Sequence, residues 1–371
     1  MIEKSNSTSL ALATIAILGQ PPRRAAMQWL RGNVLKWDRH FSPCRLAMLA
    51  KLRLCQWVQL RPINLKLHTG LQCSLLMILL SGCTAPQTRL ALEQPTGLAK
   101  QAVIANVPFY PQEAYYCGPA ALAMMLTWAG MPTGQEQIAS QVFTPGRQGT
   151  LTQDVLASAR RHGALAITVD TLNDILTEIS AGNPVMVFQN LGLKIWPQWH
   201  FSVAVGYDLT HENLVLHSGL TPYRTTDLHA FEQTWQRAGA WAVTITAPDH
   251  LPATSTEIAA LKAAAGLERA AHYTAAITAY QAIIQRWPES KIARMGIGNT
   301  EYKQERFEQA AAAFRTVIQI DAAYAAAWNN LAHALAAQGL GSEAAAAARR
   351  AIALDAGNPA YQATLHAIMQ N

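Results

Sequence analysis

Cys117, in the stretch "VPFYPQEAYYCGPAALAMML", is followed by Gly118 and Pro119 at the head of an apolar segment that reads as a helix. A cysteine attacks as its thiolate, and a helix N-terminus and a neighbouring imidazole are the usual means of producing one. Gly118 permits close backbone approach and Pro119 suits the first helical turn, where its missing N–H goes unused, so Cys117 falls at the positive end of the helix dipole. Gln112, five residues upstream, carries an amide NH2 that could join the Cys117 backbone N–H in holding an oxyanion. His200 opens the apolar segment "HFSVAVGYD" and offers a base at a strand end that faces a cleft. Nucleophile, oxyanion donor and base are the parts of acyl-transfer chemistry.

The elements that must position these residues read as follows. "GPAALAMMLTWAG" (118–130) is an apolar helix ended by Gly130, and "TLTQDVLASARRHG" (150–163) and "TLNDILTEISAG" (171–182) are amphipathic helices stopped by Gly163 and Gly182. Short β-branched runs follow at 164–170, 184–190, 200–208, 213–219 and 240–247, each bounded by Gly, Pro, Asn or Asp. Helices first and an antiparallel group of strands later is an α+β order. Trp196 and Trp199, just before His200, either line a substrate cleft or pack beneath the strand. His162, His211, His229 and His250 show no metal-ligand spacing, and neither a metal nor a cofactor is expected.

A cysteine on a helix tip and a histidine at a distant strand start is the papain-like arrangement. The block around Cys117 followed by "HFSVAVGYD" resembles the bacteriocin-processing, double-glycine-leader cysteine peptidases and their stand-alone relatives. The resemblance covers roughly 103–247 and implies a papain-like α+β fold and peptide hydrolysis, with Cys117 as nucleophile, His200 as general base and Gln112 as oxyanion donor. That family places an Asp followed by Pro at the end of the next strand to orient the imidazole. Here "LVLHSG" puts Ser218 and Gly219 there, with His217 alongside, so Ser218 or His217 is the expected orienter in a Cys-His dyad or imperfect triad. A hydroxyl accepts the imidazole N–H without adding charge. Asp208 is too distant, since eight extended residues span about 26 Å.

From 257 onward the chain is Ala-rich and repeats every 34 residues: Ala276, Ala310 and Ala344 are so spaced, as are Ile284, Ile318 and Ile352. Trp328, Leu331, Ala332, Leu335, Ala344 and Ala351 make the last copy resemble the tetratricopeptide repeat, and Pro288 stands where that family has its helix-breaking proline. Three copies, about 257–290, 291–324 and 325–358, are expected with a capping helix, as an all-α solenoid that binds a protein partner or substrate. The segment 248–256 reads as a linker.

The chain begins differently. Of 29 Lys and Arg, 11 precede residue 83, against 2 of 23 acidic residues, so the remainder has 18 basic and 21 acidic residues, net −3. That balance excludes a nucleic-acid partner. "LQCSLLMILLSGC" (71–83) has an apolar run too short to span a bilayer, behind Arg61, Lys66 and His68. Its Leu80-Ser81-Gly82-Cys83 end resembles a bacterial lipobox. The resemblance implies a signal peptide over 61–82, acylation of Cys83 and anchoring in the cell envelope, with Thr84 favouring the outer membrane facing the periplasm. Cys44, Cys55 and Cys73 would be removed, leaving Cys117 the one unmodified thiol. Residues 83–102 read as a polar tether, and 1–60 as a basic extension, either ahead of a misassigned start near Met48 or as a basic amphipathic segment. Two functions fit the whole: an exported, lipid-anchored cysteine peptidase, or a catalytically weak or inactive peptidase-like adaptor. Acyl transfer other than hydrolysis uses the same dyad.

Overall fold

A mixed α/β domain with an antiparallel sheet, then a run of paired helices, is the architecture found in the computed structural model, which describes residues 85–93, 97–112, 115–144, 146 and 149–370. The expected basic extension over 1–60, the expected signal peptide over 61–82 and Cys83 lie outside the described residues.

The sheet has seven strands: β1 Gln101–Val103, β4 Leu165–Thr168, β5 Val185–Asn190, β6 Trp199–Asp208, β7 Asn213–Ser218, β8 Thr221–Asp227 and β9 Ala242–Thr246. Its order is β4-β9-β5-β6-β7-β8, all neighbours antiparallel, and β1 pairs with β6 from Gly206 to Asp208, beyond the last β5 pair at Ala204. Strand β6 is central, and every residue from Phe201 to Tyr207 is buried. A side chain at Gly206 would put a Cβ 2.8 Å from the Ala102 carbonyl, which is why β1 can close on β6 there. A two-stranded hairpin, β2 Phe143–Thr144 with β3 Gly149–Thr150, stands apart from the sheet.

Helix α2, Cys117–Trp128, is buried at every position from Gly118 to Leu126. Its side chains are apolar all round, so no face favours water and the helix lies in the core. A β-carbon at Gly118 would sit 2.5 Å from Thr150, so only glycine lets the head of α2 meet the β2–β3 hairpin. Helices α3 Gln135–Val142, α4 Thr152–Arg161, α5 Leu172–Ser180 and α6 Leu228–Arg237 complete this part.

Two segments differ from their reading as free chain. The expected tether over 83–102 folds over Pro86–Glu93 into helix α1. The buried Glu232 carboxylate on α6 accepts the N–H groups of Gln87 and Thr88 at 3.1 and 2.7 Å, and Gln87 Oε1 accepts from the Leu172 N–H at 2.7 Å. The cap thus comes from 144 residues away, and no local pattern announces it. The expected linker over 248–256 is likewise pinned. Glu178, fully buried on α5, accepts from the Ala253 N–H at 3.0 Å, from the N–H and hydroxyl of Thr254, and from Asn183 Nδ2 at 2.7 Å. Arg286 donates to the carbonyls of Leu251 and Pro252 at 2.7 and 2.6 Å.

The helical part consists of α7 Glu257–Arg269, α8 Tyr273–Arg286, α9 Lys291–Lys303, α10 Phe307–Ile320, α11 Ala325–Ala337, α12 Gly341–Leu354 and α13 Pro359–Gln370. First helices begin at 257, 291 and 325 and second helices at 273, 307 and 341, so each register recurs every 34 residues. Ala276, Ala310 and Ala344 are fully buried. Gly296 and Gly298 admit the rings of Tyr280 and Phe314, each of which would lie 2.4 Å from an added Cβ. The two parts share apolar contacts: Leu165 and Ile167 of β4 pack with Leu251 and with Ala260, Ala264 and Leu267 of α7. An open cavity of about 610 Å³ lies at this junction, among His162, Asp249 and His272, away from Cys117.

Candidate active site

Cys117 is the first residue of α2, and Tyr116 before it supplies no side-chain cap, which leaves the first N–H groups of the helix facing the thiol. The backbone N–H of Phe201 on β6 also points at the sulfur, and with those of Gly118 and Cys117 it favours the thiolate. Burial outweighs all three and holds the thiol above its ordinary range. Tyr115, two residues before Cys117, has φ +70°, a conformation that costs a residue with a Cβ energy and turns the chain sharply into the helix.

Gln112 is buried, and the gap beside β6 where β7 has ended is filled by its side chain and backbone. Its N–H donates to the Gly219 carbonyl and its Oε1 accepts from the Gly219 N–H, both at 3.0 Å. Those bonds fix which end of the amide is oxygen, and the NH2 turns to the Phe201 carbonyl, 3.5 Å away. Its second N–H has no partner among the described residues. Gln112 and Cys117 therefore converge on one backbone unit, that of Phe201, adjacent in sequence to His200.

His200 places Nε2 2.9 Å from Ser218 Oγ. In the tautomer where Nε2–H donates to the hydroxyl, the Nδ1 lone pair is left as the base. Among the described residues no hydrogen bond joins this imidazole to the Cys117 sulfur. Burial, with the Arg224 guanidinium second, lowers the His200 pKa to about 4. Thiol and imidazole are thus both pushed towards their neutral forms.

His217 faces elsewhere. The Tyr223 N–H donates to its Nδ1 at 3.2 Å, so Nε2 carries the proton and donates to the Val107 carbonyl at 3.2 Å. Its ring packs edge-on against Phe109 and Tyr223. Of the two candidate orienters, Ser218 is beside His200 and His217 is a buried support for the β7–β8 turn. Asp208 is occupied in its own turn, accepting from His211 Nδ1 at 2.7 Å and from the N–H groups of Thr210 and His211. Trp199 stacks on Phe188 with centroids 5.3 Å apart and is 54% exposed, whereas Trp196 is 81% exposed on the β5–β6 connection. That connection is an ordered hairpin in which Leu193 and Trp196 pair and Asn190 Oδ1 accepts from Gly192 and Gln198. It leaves Leu193, Ile195 and Trp196 in solvent beside the His200 strand.

Two contributors escaped the sequence reading. Phe201 acts through its main chain, for which there is no side-chain signal. Arg224 lies in "TPYRTTD", a polar run that lacks the apolar alternation of a half-buried strand.

Residues 104–243 match the Peptidase_C39 like family, and residues 261–325 and 297–359 match a tetratricopeptide repeat family. The chain thus joins a Peptidase_C39-like domain to tetratricopeptide repeats. Among solved structures it is similar to a protein from Bacillus anthracis assigned as a C39-like peptidase, at 19% identity over 40% of this chain and 98% of that one, with a TM-score of 0.35. It is also similar to the first tetratricopeptide domain of human RPAP3, at 17% identity over 31% of this chain and 90% of that one, with a TM-score of 0.30. No curated protein matches the chain.

Proposed function

We propose that this protein is a cysteine peptidase in which Cys117 is the nucleophile, His200 the general base, Gln112 an oxyanion donor and Ser218 the residue that orients the imidazole. The carrying observation is the convergence of Gln112 and Cys117 on the backbone of Phe201, next to His200. In this reading Nδ1 of His200 takes the thiol proton as sulfur bonds to the scissile carbonyl carbon. The carbonyl electron pair moves to oxygen, where the Cys117 N–H and the open N–H of Gln112 hold it. Collapse of the intermediate breaks the C–N bond, and the imidazolium gives its proton to the leaving amine. Water then hydrolyses the thioester, returning the thiol and releasing the acid.

The resting pair is neutral, so the sulfur is deprotonated as it attacks rather than stored as a thiolate. A Ser218 hydroxyl holds the tautomer without the charge that a carboxylate would add to the imidazolium. That one fact favours a second reading, a weak or silent peptidase-like adaptor. The repeats supply the binding surface in either case, for a protein partner or the substrate itself, since stacked repeats present extended concave faces. The lipobox resemblance supports export and acylation at Cys83, three residues before α1 begins at Pro86.

Cleavage of a peptide library by the full chain, compared with Cys117→Ala, tests the reading. Cleavage present in the first and absent in the second is expected; equal cleavage by both removes Cys117 from the mechanism. Labelled fatty acid should enter the protein in bacterial cells and be lost in Cys83→Ser.

A further inference from the structure

The edge strand β8 is irregular where it passes the site. Pairing runs Leu216 with Arg224 but Ser218 with Thr221, so two residues of β8, Pro222 and Tyr223, oppose the single His217 of β7. Tyr223 is in that bulge with φ +50°, a conformation that a large L-residue adopts only when held. Two bonds hold it: its N–H donates to His217 Nδ1 at 3.2 Å and its hydroxyl to the Ala105 carbonyl at 3.0 Å. Bulges of this kind turn a side chain away from where regular alternation would leave it.

Arg224 is the residue after the bulge, where regular pairing with β7 resumes. Ala204 pairs with Leu216 and Leu216 with Arg224, and pairing from Trp199 to Ala204 is unbroken. Directly paired residues share a face and alternate residues along a strand share a face, so Arg224 and His200 project from the same side of the sheet. The guanidinium is close enough to act on the His200 charge. It is exposed and forms no ion pair among the described residues, and no carboxylate among them acts on His200. A planar cation with five donors beside a peptidase base, lacking any acid of its own, is matched to an incoming carboxylate.

We propose that Arg224, on the same face of the sheet as His200, binds a carboxylate of the peptide substrate near that imidazole and so selects acidic peptides. This rests on the peptidase reading above. The carboxylate comes either from an acidic side chain near the scissile bond or from the peptide C-terminus. Once bound it offsets the guanidinium charge that opposes the imidazolium, and thereby supplies from the substrate the negative charge that Ser218 lacks.

The test uses one cleaved library peptide in matched forms, Glu against Gln near the cut and free C-terminus against amide. Each is assayed with the full chain and with Arg224→Gln, whose melting temperature confirms folding. The same peptides, fluorescently labelled, are titrated into Cys117→Ala and Cys117→Ala/Arg224→Gln, so that binding is read without turnover. In wild type, kcat/KM for the carboxylate form should exceed that for its neutral twin by about fivefold, the upper range for an exposed ion pair. Arg224→Gln should bring the ratio to about one, and the arm that shows the effect identifies the carboxylate. Cleavage with no preference in either arm, or a preference that survives Arg224→Gln, overturns the proposal and leaves Arg224 a guard of the sheet edge. Selective binding by the Cys117→Ala chain without cleavage by wild type would uphold Arg224 and overturn the peptidase reading alone.

Discussion

Buried polar groups divide the molecule into two parts. In the sheet domain they are satisfied from far along the chain: Thr88 by Glu232 over 144 residues, Val107 by His217 over 110 and Gly219 by Gln112 over 107. In the repeats the buried hydroxyls of Thr300 and Thr364 bond to carbonyls four residues back, and Ser290 caps the N–H three residues ahead. The repeat core is otherwise mostly Ala, with larger aliphatics such as Leu267, Ile283, Val317 and Leu335 and a few rings, Tyr280 and Phe314 among them. A local bond forms wherever a helix forms, so each repeat needs only its neighbours. A long-range bond to a buried group forms only when the whole domain is in place, and loses much if either partner is removed. The part for which we propose chemistry is the part whose polar groups depend on distant segments, because a nucleophile, base and oxyanion donor must come from different elements.

Five substitutions or conditions would break or sharpen that contrast. The largest effect is expected for Cys117→Ala, which should lower peptide cleavage by ~10^4-fold or more while leaving the melting temperature of both parts within a degree or two. Next is Glu178→Ala, which strips four donors of their buried acceptor at the junction. A loss of about 3 kcal/mol is expected, seen by calorimetry as an earlier onset in which sheet domain and repeats no longer melt together. A single unshifted transition would mean that the apolar contacts of Leu165 and Ile167 suffice.

Acid should act on the sheet domain first. His200 is held near pKa 4 against 6.5 when free, so unfolding lets it take up a proton. Its depressed folded value makes stability complete above about pH 6.5 and progressively lost as pH falls towards 4, by at most ~3 kcal/mol. His217 and His333 are lowered by burial and act in the same direction. Chemical denaturation at a series of pH values, with Trp235 in the sheet domain and Trp328 in the repeats as separate reporters, checks the order. The smallest effects concern the orienter. Ser218→Ala should cost about threefold in kcat/KM, the worth of one neutral hydrogen bond. Ser218→Asp should instead raise the imidazole pKa, since a carboxylate favours the charged ring, and speed Cys117 alkylation near pH 6 by about tenfold. An imidazole resonance that does not move in Ser218→Asp would separate Ser218 from His200.

The same contrast accounts for what could be read from residue order. A period of 34 is visible because each repeat is its own template, and the helices of Ala276, Ala310 and Ala344 follow from it. The helix of Cys117 and the strand of His200 were also legible, each from a run of like residues with clear stops. What escaped was whatever depends on register. Ser218 and His217 are neighbours on one strand and therefore face opposite sides, and no local pattern says which side meets His200. The face on which Arg224 lies is set by the pairing of β8 with β7 and of β7 with β6, not by the residues "TPYRTTD" alone. Pro86–Glu93 and the stretch 248–256 have the composition of free chain, and they are ordered by Glu232 and Glu178, carboxylates placed there by other helices.

The junction of β4 with α7 has a consequence for anything held by the repeats. A flexible connection would let a captured chain sample a wide volume, at an effective concentration set by linker length. Here the nine residues from 248 to 256 are bonded down, so the distance from the repeat surface to Cys117 is a fixed property of the fold. On the proposed function, a polypeptide gripped at one end by the repeats would bring to the sulfur only bonds lying about that distance further along, and spacing would select beside side-chain chemistry.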